Sequence, residues 1–411
     1  MKKHPSPLRR AVGLVLTLLL TLGYFSPTQQ ALRALPASLR LTQDEPISLL
    51  TGEGLEVSAS QDETLSQYVS VTGQKSGTSE LLLSILGIPL RRVEVEVSPE
   101  KRLIPGGQAL GVAMRTDGVL IVGLSDVKKG VCPARDCGLQ PGDVLLRIGG
   151  HAIERVADVS EIAQQNGTSP LLIEYMRDGT TAHATLTPVQ DDATGVVRLG
   201  AWVRDSTVGI GTLSFVTEKE KASAALGHAV LDADTGSLLN VRKGEMVEAD
   251  VLGVTKGSSG FPGELRGAFG AKSLRIGSID VNTELGIFGI ADSADYTCEA
   301  GETLPIAFPN EVHKGEAYII AQIDGEKPQP YSCKIIKNAA QSVPSQKGLV
   351  IEITDDRLLN KTGGIVQGMS GSPIVQDGRI AAVVTHVFVN EPNRGYGVYA
   401  FWMYSVACGE N

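Results

Sequence analysis

"QGMSGSPIVQDGRIAAVVTHVF" occupies residues 367–388 and joins a glycine-rich bend to two apolar runs. The runs lie on either side of Asp377-Gly378, a pair that predicts a tight turn between two strands. Ser370 therefore lies on a bend just before a β-hairpin, and not on the strand-to-helix elbow that G-x-S-x-G predicts in α/β-hydrolases. This position is typical either of a nucleophile or of a residue in a tight turn.

The backbone around Ser370 has the composition that an oxyanion hole needs. Glycine neighbours allow positive φ, so the N–H groups of Gly368 and Ser370 could both point at one oxygen. Ser372 is the rival nucleophile, but it precedes Pro373 and has one glycine neighbour fewer. A serine hydroxyl is a weak nucleophile, so the chain must also supply an imidazole base and a carboxylate that orients it.

The base and the carboxylate stay open when only the residue pattern is considered. Among the six histidines, His228 stands between small residues that would let a substrate approach closely, and His386 lies on the strand after the serine. The pattern favours His228 slightly. An aspartate at a strand end is usually a turn residue or a helix cap. Four aspartates lie near plausible positions: Asp232, Asp234, Asp355 and Asp356.

The chain as a whole predicts a mainly β protein. Its 47 glycines and 20 prolines punctuate runs of Val, Ile and Thr, and only 5% of its residues are aromatic. Short strand candidates recur from about residue 195 to the end, which favours a β-barrel or sandwich. One helix is predicted among them, at 217–230. The net charge of -9 offers no basis for binding phosphates, so we expect no nucleic-acid partner.

The first 30 residues are typical of an export signal. Lysines and arginines precede an apolar run at 11–25, which is short for a membrane span. No clean A-x-A site follows, so residues 1–30 are predicted to be either a signal peptide or an N-terminal membrane anchor. Residues 31–102 are predicted to form a small β-rich region, because Val93, Val95 and Val97 alternate with glutamates.

Export makes disulfides possible among the five cysteines, although free thiols are about equally expected. Cys132 and Cys137 have the spacing C-x4-C with no second ligand pair beside them, so we expect no metal site. Nothing in the sequence indicates a cofactor.

Residues 103–190 resemble a PDZ domain. The run "PARDCGLQPGDVLLRIGG" at 133–150 carries the resemblance, and Leu110-Gly111-Val112 is similar to the loop that binds a peptide carboxylate in this family. The resemblance implies that a peptide or a membrane-protein tail adds a strand to the sheet edge while backbone N–H groups hold its carboxylate. The alternative is a groove that serves only as an intramolecular brace.

Nearly the whole chain resembles the stage IV sporulation protein B peptidases of endospore-forming bacteria, most strongly over 353–403. This family is similar in outline to chymotrypsin-like peptidases, which implies a trypsin-like double β-barrel at 195–411 after the PDZ domain. Carried over by motif, His228 is the general base, Asp355 its orienting carboxylate and Ser370 the nucleophile. The matching runs are "GHAV" at 227–230, "ITDDRLLNKTGGIVQGMSGSPIVQDGRI" at 353–380 and "VTHVFVNEPNRGYGVYAFWM" at 384–403.

The same resemblance implies a signalling peptidase that is exported across the forespore membrane into the space between the two membranes. There it would cleave itself and a membrane-bound regulatory protein, and this cleavage would lead to maturation of a sigma factor. Two other functions stay open. One is a non-catalytic PDZ adaptor that binds membrane-protein tails. The other is an HtrA-like quality-control protease, although in that family the PDZ domain follows the protease domain.

Overall fold

The computed structural model describes residue 17 and residues 38–50, 56–58, 68–85, 88–270, 272–293, 303–341 and 343–410. Apart from position 17, the predicted export signal at 1–30 lies outside these residues. Within the described part of the chain, no helix has the length and apolar character needed to cross a membrane. The chain divides into two compact units. The first comprises Met1–Lys101, Phe308–Val312 and Ala340–Val343, and the second comprises Arg102–Ala307, His313–Ala339 and Pro344–Asn411.

The first unit is built from short strands. Its strand β6 pairs in parallel with β1 and antiparallel with β5, and Val93, Val95 and Val97 of β6 are buried, as their alternation predicts. The described strands of this unit are β1 (Ser38–Thr42), β2 (Pro46–Leu50), β3 (Glu56–Ser58), β4 (Tyr68–Thr72), β5 (Gly77–Ile85) and β6 (Ile88–Ser98).

The second unit begins with a PDZ-like arrangement and continues into a larger β region. Its first part contains β7 (Arg102–Pro105), β8 (Ala109–Leu124), α1 (Pro133–Asp136), β9 (Val144–Ile148), β10 (His151–Ala152), α2 (Val156–Asn166), β11 (Leu171–Arg177), β12 (Thr180–Leu186), β13 (Val189–Gln190) and β14 (Val197–Arg198). Its middle part contains β15 (Ala201–Thr217), β16 (Ala222–Ala225), β17 (Val241–Glu248), β18 (Asp250–Thr255), β19 (Glu264–Ala268), β20 (Arg275–Ile279), β21 (Val281–Thr283), β22 (Gly286–Ile290) and β23 (Leu304–Pro305). Its last part contains β24 (Gly315–Ala321), β25 (Gln329–Asn338), β26 (Leu349–Ile353), α3 (Asp356–Thr362), β27 (Pro373–Gln376), β28 (Arg379–Phe388), β29 (Glu391–Tyr399) and α4 (Ala400–Ala407).

Two long antiparallel strands, β8 and β15, run through two hydrophobic cores of the second unit. At one end, Val119 and Ile121 of β8 pack in a core with α1, β9, α2 and β11. At the other end, Leu110 and Val112 of β8 and Leu213 of β15 pack in a second core with β17, β20 and β22. The two cores are therefore connected by continuous strands.

The C-terminal strands close into an antiparallel barrel in the order β24-β25-β26-β29-β28-β27. Asp377 and Gly378 have φ of 50° and 74° in the turn between β27 and β28, so the hairpin predicted here is confirmed. One half of the predicted double barrel is thus this closed barrel. Strands β15, β16, β17, β20 and β22 belong to a 13-stranded sheet that also takes in β8, a strand that precedes the predicted bounds 195–411. The prediction of a mainly β fold is confirmed.

The predicted helix at 217–230 is wrong. Residues Ala222–Ala225 form strand β16, which pairs with β15 on one side and with β22 on the other. The run "ASAA" is rich in alanine, which favours helices, but its four residues are small and buried, and pairing on both sides overrides their helix propensity. His228 therefore follows a strand, three residues beyond its end.

Cys132, Cys137 and Cys333 form no disulfide with a described residue, and Cys298 lies outside the described residues. Among the residues that the structure describes, no three His, Cys, Asp or Glu side chains lie close enough together to hold a metal ion.

Candidate active site

Ser370 lies on the bend that precedes β27, and glycine is required beside it. Gly371 has φ of +106°, and a Cβ at this position would lie 2.0 Å from the carbonyl oxygen of Thr212. The Thr212 N–H donates to the carbonyl of Ser370 (3.0 Å), and the Thr212 hydroxyl donates to the carbonyl of Gly368 (2.7 Å). Strand β15 thus holds the serine bend by direct hydrogen bonds.

Two backbone donors at this bend are uncommitted. The N–H groups of Gly368 and Ser370 make no hydrogen bond with any described residue, whereas the N–H of Met369 between them donates to the Val366 carbonyl (3.1 Å). Gly368 has φ of +94°, and the Met369 side chain is fully buried. The buried Met369 side chain packs into the protein interior and so fixes the bend. This packing explains why an apolar residue stands between the two uncommitted N–H groups.

The orientation of both donors is fixed through the peptide groups that carry them. The carbonyl of Gln367 accepts from the Leu265 N–H (2.8 Å), and the carbonyl of Met369 accepts from the Ser372 N–H (3.0 Å). Each of these carbonyls shares a planar peptide unit with one of the free N–H groups, so fixing the carbonyl also fixes the donor. Donors that are held in place before a reaction begins are what an oxyanion hole requires.

Two imidazoles share a pocket with the serine. The ring centroids of His228 and His386 are 4.9 Å apart, and both rings line a pocket of about 460 Å³ together with Ser370. The Ser370 hydroxyl donates to the carbonyl of Thr385 (2.6 Å), which is adjacent to His386 in the chain. Ser372 is fully buried and its hydroxyl has no hydrogen-bond partner among the described residues, so the rival serine is closed to a substrate.

Burial keeps both imidazoles neutral. It lowers the pKa of His228, and a hydrogen bond to the Ala229 carbonyl only partly offsets this effect. Burial also lowers the pKa of His386, with further contributions from His228 and Lys347. The Nδ1 atom of His228 lies 2.8 Å from the Ala229 carbonyl oxygen. Because a carbonyl can only accept, Nδ1 carries the proton and Nε2 keeps its lone pair.

The loop that follows His228 is held by Asn282, a residue that the sequence did not single out. The Asn282 side chain accepts from the Val230 N–H (2.9 Å) and donates to the carbonyls of Val230 (2.8 Å) and Leu239 (2.9 Å). All three contacts are with backbone groups distant in sequence, so no local pattern could have indicated them.

Asp355 lies at the start of α3, and its carboxylate is fully engaged there. It accepts from the backbone N–H groups of Ser332 (3.2 Å), Arg357 (2.9 Å) and Leu358 (3.4 Å), and from the Arg357 guanidinium (2.8 Å and 3.1 Å). The hydrogen bond from Arg357 lowers the pKa of Asp355 to about 2, with smaller contributions from the two backbone bonds of Ser332 and Arg357. Asp355 does not line the pocket of Ser370 and His228. The structure thus brings together two of the three predicted triad residues.

A family model described as SpoIVB peptidase S55 matches residues 195–404, just over half of the chain. The chain belongs to this family. The family resemblance inferred from the sequence is therefore confirmed. A PDZ domain model matches residues 125–177, which confirms the PDZ resemblance as well.

Three known proteins show what else the chain is similar to. A Treponema pallidum (strain Nichols) protein named "Putative zinc metalloprotease" is 40% identical over 70 residues, which are 17% of this chain and 16% of that relative's length. The PDZ domain of the SdrC-like protein from Listeria monocytogenes has a TM-score of 0.19 and 22% identity, over 21% of this chain and 87% of that one. The thermostable serine protease AL20 from an extremophilic microorganism has a TM-score of 0.31 and 15% identity, over 50% of this chain and 92% of that one.

The carboxylate loop predicted at Leu110-Gly111-Val112 needs correction. These residues lie inside β8, where they pair with Gly209–Gly211 of β15 on one side and with Met246–Glu248 of β17 on the other. Leu110 and Val112 are buried in the second core. A segment paired along both edges has no backbone groups to offer a peptide, and it also precedes the residues that match the PDZ model.

A different loop lies beside the PDZ helix. Near the end of α2, the Gln164 side chain donates to the Val197 carbonyl (3.0 Å), and at its start the Val156 N–H donates to the Asp205 carboxylate (2.9 Å). Between these contacts, Leu199-Gly200-Ala201 leads into β15, and Gly200 has φ of +79°. The N–H groups of Leu199 and Gly200 make no hydrogen bond with a described residue.

Proposed function

We propose that this chain is a serine endopeptidase in which Ser370 is the nucleophile and His228 the general base. The observation that carries the proposal is the pair of fixed, uncommitted N–H groups of Gly368 and Ser370 beside a hydroxyl that shares a pocket with a neutral imidazole. Peptide hydrolysis needs these parts, because the oxyanion that forms after attack must be stabilised while the base holds the hydroxyl proton.

The proposed reaction begins with a rotation of the Ser370 side chain. In the structure its hydroxyl donates to the Thr385 carbonyl, and turning Oγ towards Nε2 of His228 places the proton on the base as Oγ attacks the scissile carbonyl. The Ala229 carbonyl holds the Nδ1 proton of the ring in the position that a carboxylate occupies in other serine peptidases. The protonated imidazole then gives its proton to the leaving amine, and water hydrolyses the acyl-enzyme.

Ser370→Ala tests this proposal, and Ser372→Ala is its matched control. We expect Ser370→Ala to lower the cleavage of fluorescently labelled casein by at least about a thousandfold and to abolish labelling by a fluorophosphonate probe. Ser372→Ala removes a buried hydroxyl that bonds to no described residue, so we expect activity within about threefold of the unmodified protein. Undiminished cleavage and labelling in the Ser370→Ala protein would exclude the proposed nucleophile.

We further propose, from membership of the SpoIVB peptidase family, that the chain acts in spore formation as an exported signalling peptidase. In this role it cleaves itself and a membrane-bound regulatory protein, and this step leads to sigma-factor maturation. Replacing the chromosomal gene with the Ser370→Ala form in a spore-forming host should block maturation of the sigma factor. If maturation proceeds normally, the non-catalytic adaptor function is favoured instead.

We also propose that the PDZ region binds the C-terminal end of a peptide between α2 and the start of β15. The two free N–H groups of Leu199-Gly200-Ala201 lie near the end of α2, where a PDZ domain holds a carboxylate, and β15 offers its edge to the peptide. A fluorescein-labelled peptide with a free C-terminus should bind the full-length Ser370→Ala protein at least about tenfold more tightly than its amidated form. Equal binding of the two forms would contradict the proposal.

A further inference from the structure

Strand β15 presents an unpaired edge beside the candidate active site. At Thr212 the backbone N–H and C=O point away from β8, since they bond to Ser370 (3.0 Å) and to Leu226 (3.3 Å). Backbone groups alternate along a strand, so the N–H and C=O of Ile210 and Val208 lie on this same edge. The strands on this side of β15 pair with it further along, β16 from Leu213 and β7 from Phe215, and no described residue bonds to the edge at Ile210 and Val208.

The pocket next to this edge is aliphatic. Its lining includes no Asp, Glu, Lys or Arg side chain among the described residues, and the only titratable groups in it are the two imidazoles. Val112, Leu226, Ile365 and Val387 form part of its wall. At the rim, the side chains of Val208, Leu231 and Val389 are 70%, 51% and 53% exposed. Large exposed apolar side chains around a pocket mark a surface that a ligand covers.

We infer that the substrate of this peptidase is an extended peptide segment that adds a strand to the β15 edge at Val208 and Ile210. The segment places an aliphatic side chain in the pocket, next to the scissile bond. This inference rests on the proposed function, because it takes Ser370 as the nucleophile. The edge leads directly to the serine bend, since Ile210 lies two residues from the strand residue that holds the Ser370 carbonyl.

The chemistry of the pocket determines which side chains are rejected. A lysine or an aspartate in an aliphatic pocket loses its hydration and finds no opposite charge among the lining side chains, so binding of a charged residue is disfavoured. The two imidazoles do not change this outcome for an acidic residue, because burial lowers the pKa of both rings and keeps them uncharged at neutral pH. The pocket is therefore expected to reject both positively and negatively charged substrate side chains.

Binding to the full-length Ser370→Ala protein tests the inference without any need for catalysis. The probes are capped, fluorescein-labelled heptapeptides that differ only at the central residue, which is Leu, Lys or Asp. We expect the Leu peptide to bind at least about tenfold more tightly than either charged peptide. N-methylation of two alternate amides of the Leu peptide should weaken binding by a similar factor, because the methyl groups remove donors to the strand edge.

Two exposed valines on strands provide a matched pair of variants. Val208→Asp, made in the same Ser370→Ala protein, places a carboxylate at the rim of the pocket and should weaken binding of the Leu peptide about tenfold. Val281→Asp, on β21, makes the same change at a strand position that is 48% exposed and outside the pocket lining, and should leave binding unchanged. Thermal melting of both variants checks that each remains folded.

The possible outcomes separate this inference from the proposed function. Binding of Lys or Asp peptides as tightly as Leu, equal effects of the two valine variants, or no binding of any peptide would each overturn the inference. If the Ser370→Ala protein binds the Leu peptide selectively but the unmodified protein hydrolyses no peptide, the inference about the β15 edge is kept and the proposed peptidase function is overturned.

Discussion

Two clusters of titratable groups in the second unit differ in how much of their hydrogen-bonding capacity is used. At the start of α3, the carboxylate of Asp355 accepts three backbone N–H groups and a bidentate Arg357. In the pocket, the Nε2 atom of His228 and the N–H groups of Gly368 and Ser370 have no partner among the described residues. The first cluster is complete without a ligand, and the second is not.

This difference indicates which cluster carries out chemistry. A carboxylate with every lone pair engaged stabilises the local backbone, as helix N-caps do, and moving it to orient an imidazole would break each of those bonds. Fixed donors and a neutral base without partners cost stability and are retained where a substrate completes them. Asp355 as the orienting carboxylate of the triad stays a prediction, and the geometry favours a structural role for it.

The largest effect is expected within the pocket, between its two histidines. We expect His228→Gln to lower the rate of peptide hydrolysis by about 10⁴-fold, since it removes the base whose Nδ1 proton is held by a carbonyl. His386→Gln should lower the rate by about tenfold or less, because the His386 ring makes no orienting hydrogen bond with a described residue. Steady-state rates on labelled casein measure both, and a reversed order would make His386 the base.

A smaller effect is expected at the other cluster. Asn has one acceptor oxygen where Asp has two, so Asp355→Asn should retain the N-cap bonds from the Arg357 and Leu358 N–H groups but lose the acceptor for the Ser332 N–H and for one Arg357 guanidinium bond. Because the Ser332 N–H is left without its acceptor, we expect a loss of about 1–3 kcal/mol of unfolding free energy, and less than tenfold in rate. Urea unfolding and steady-state kinetics measure the two quantities. A rate about 10⁴-fold lower with unchanged stability would return Asp355 to the triad.

The sequence could predict features that depend on local pattern. The hairpin of β27 and β28 follows from Asp377-Gly378, because the φ values that this turn requires are intrinsic to those residues. The alternation of Val93 and Val95 likewise predicts a strand with one buried face. The bend at Ser370 could be predicted because glycines there have no side chain that would block the approach of Thr212.

Features that depend on distant pairing could not be predicted in the same way. The pattern "LGV" at 110–112 is similar to a PDZ loop, but whether it forms a loop or a central strand depends on β15 and β17, which lie about 100 residues or more further along the chain. Ala222–Ala225 favours a helix locally and forms a strand because β22 pairs with it. The contact of Asp355 with Ser332 could not be predicted either, because the two residues lie 23 positions apart in the chain.

The smallest effect expected is on stability as a function of pH, and it separates the two clusters by pH range. Burial lowers the pKa of His228 and of His386 below the value of about 6.5 for an unfolded chain, so the unfolded state binds more protons as the pH falls below 6.5, and stability declines. The contribution of Asp355 to stability changes over a lower pH range, and its hydrogen bonds stabilise the charged carboxylate, whereas burial stabilises the neutral form of each histidine. This contribution is present above the unfolded pKa of about 3.9 and is lost as the pH falls towards the folded pKa of about 2.

Urea unfolding at pH 7.5 and pH 5.5 should therefore show that the free energy of unfolding declines at the lower pH. We expect this decline to be smaller in a His228→Gln, His386→Gln double variant and unchanged in Asp355→Asn. A decline that is equal in all three proteins would place the titrating groups elsewhere.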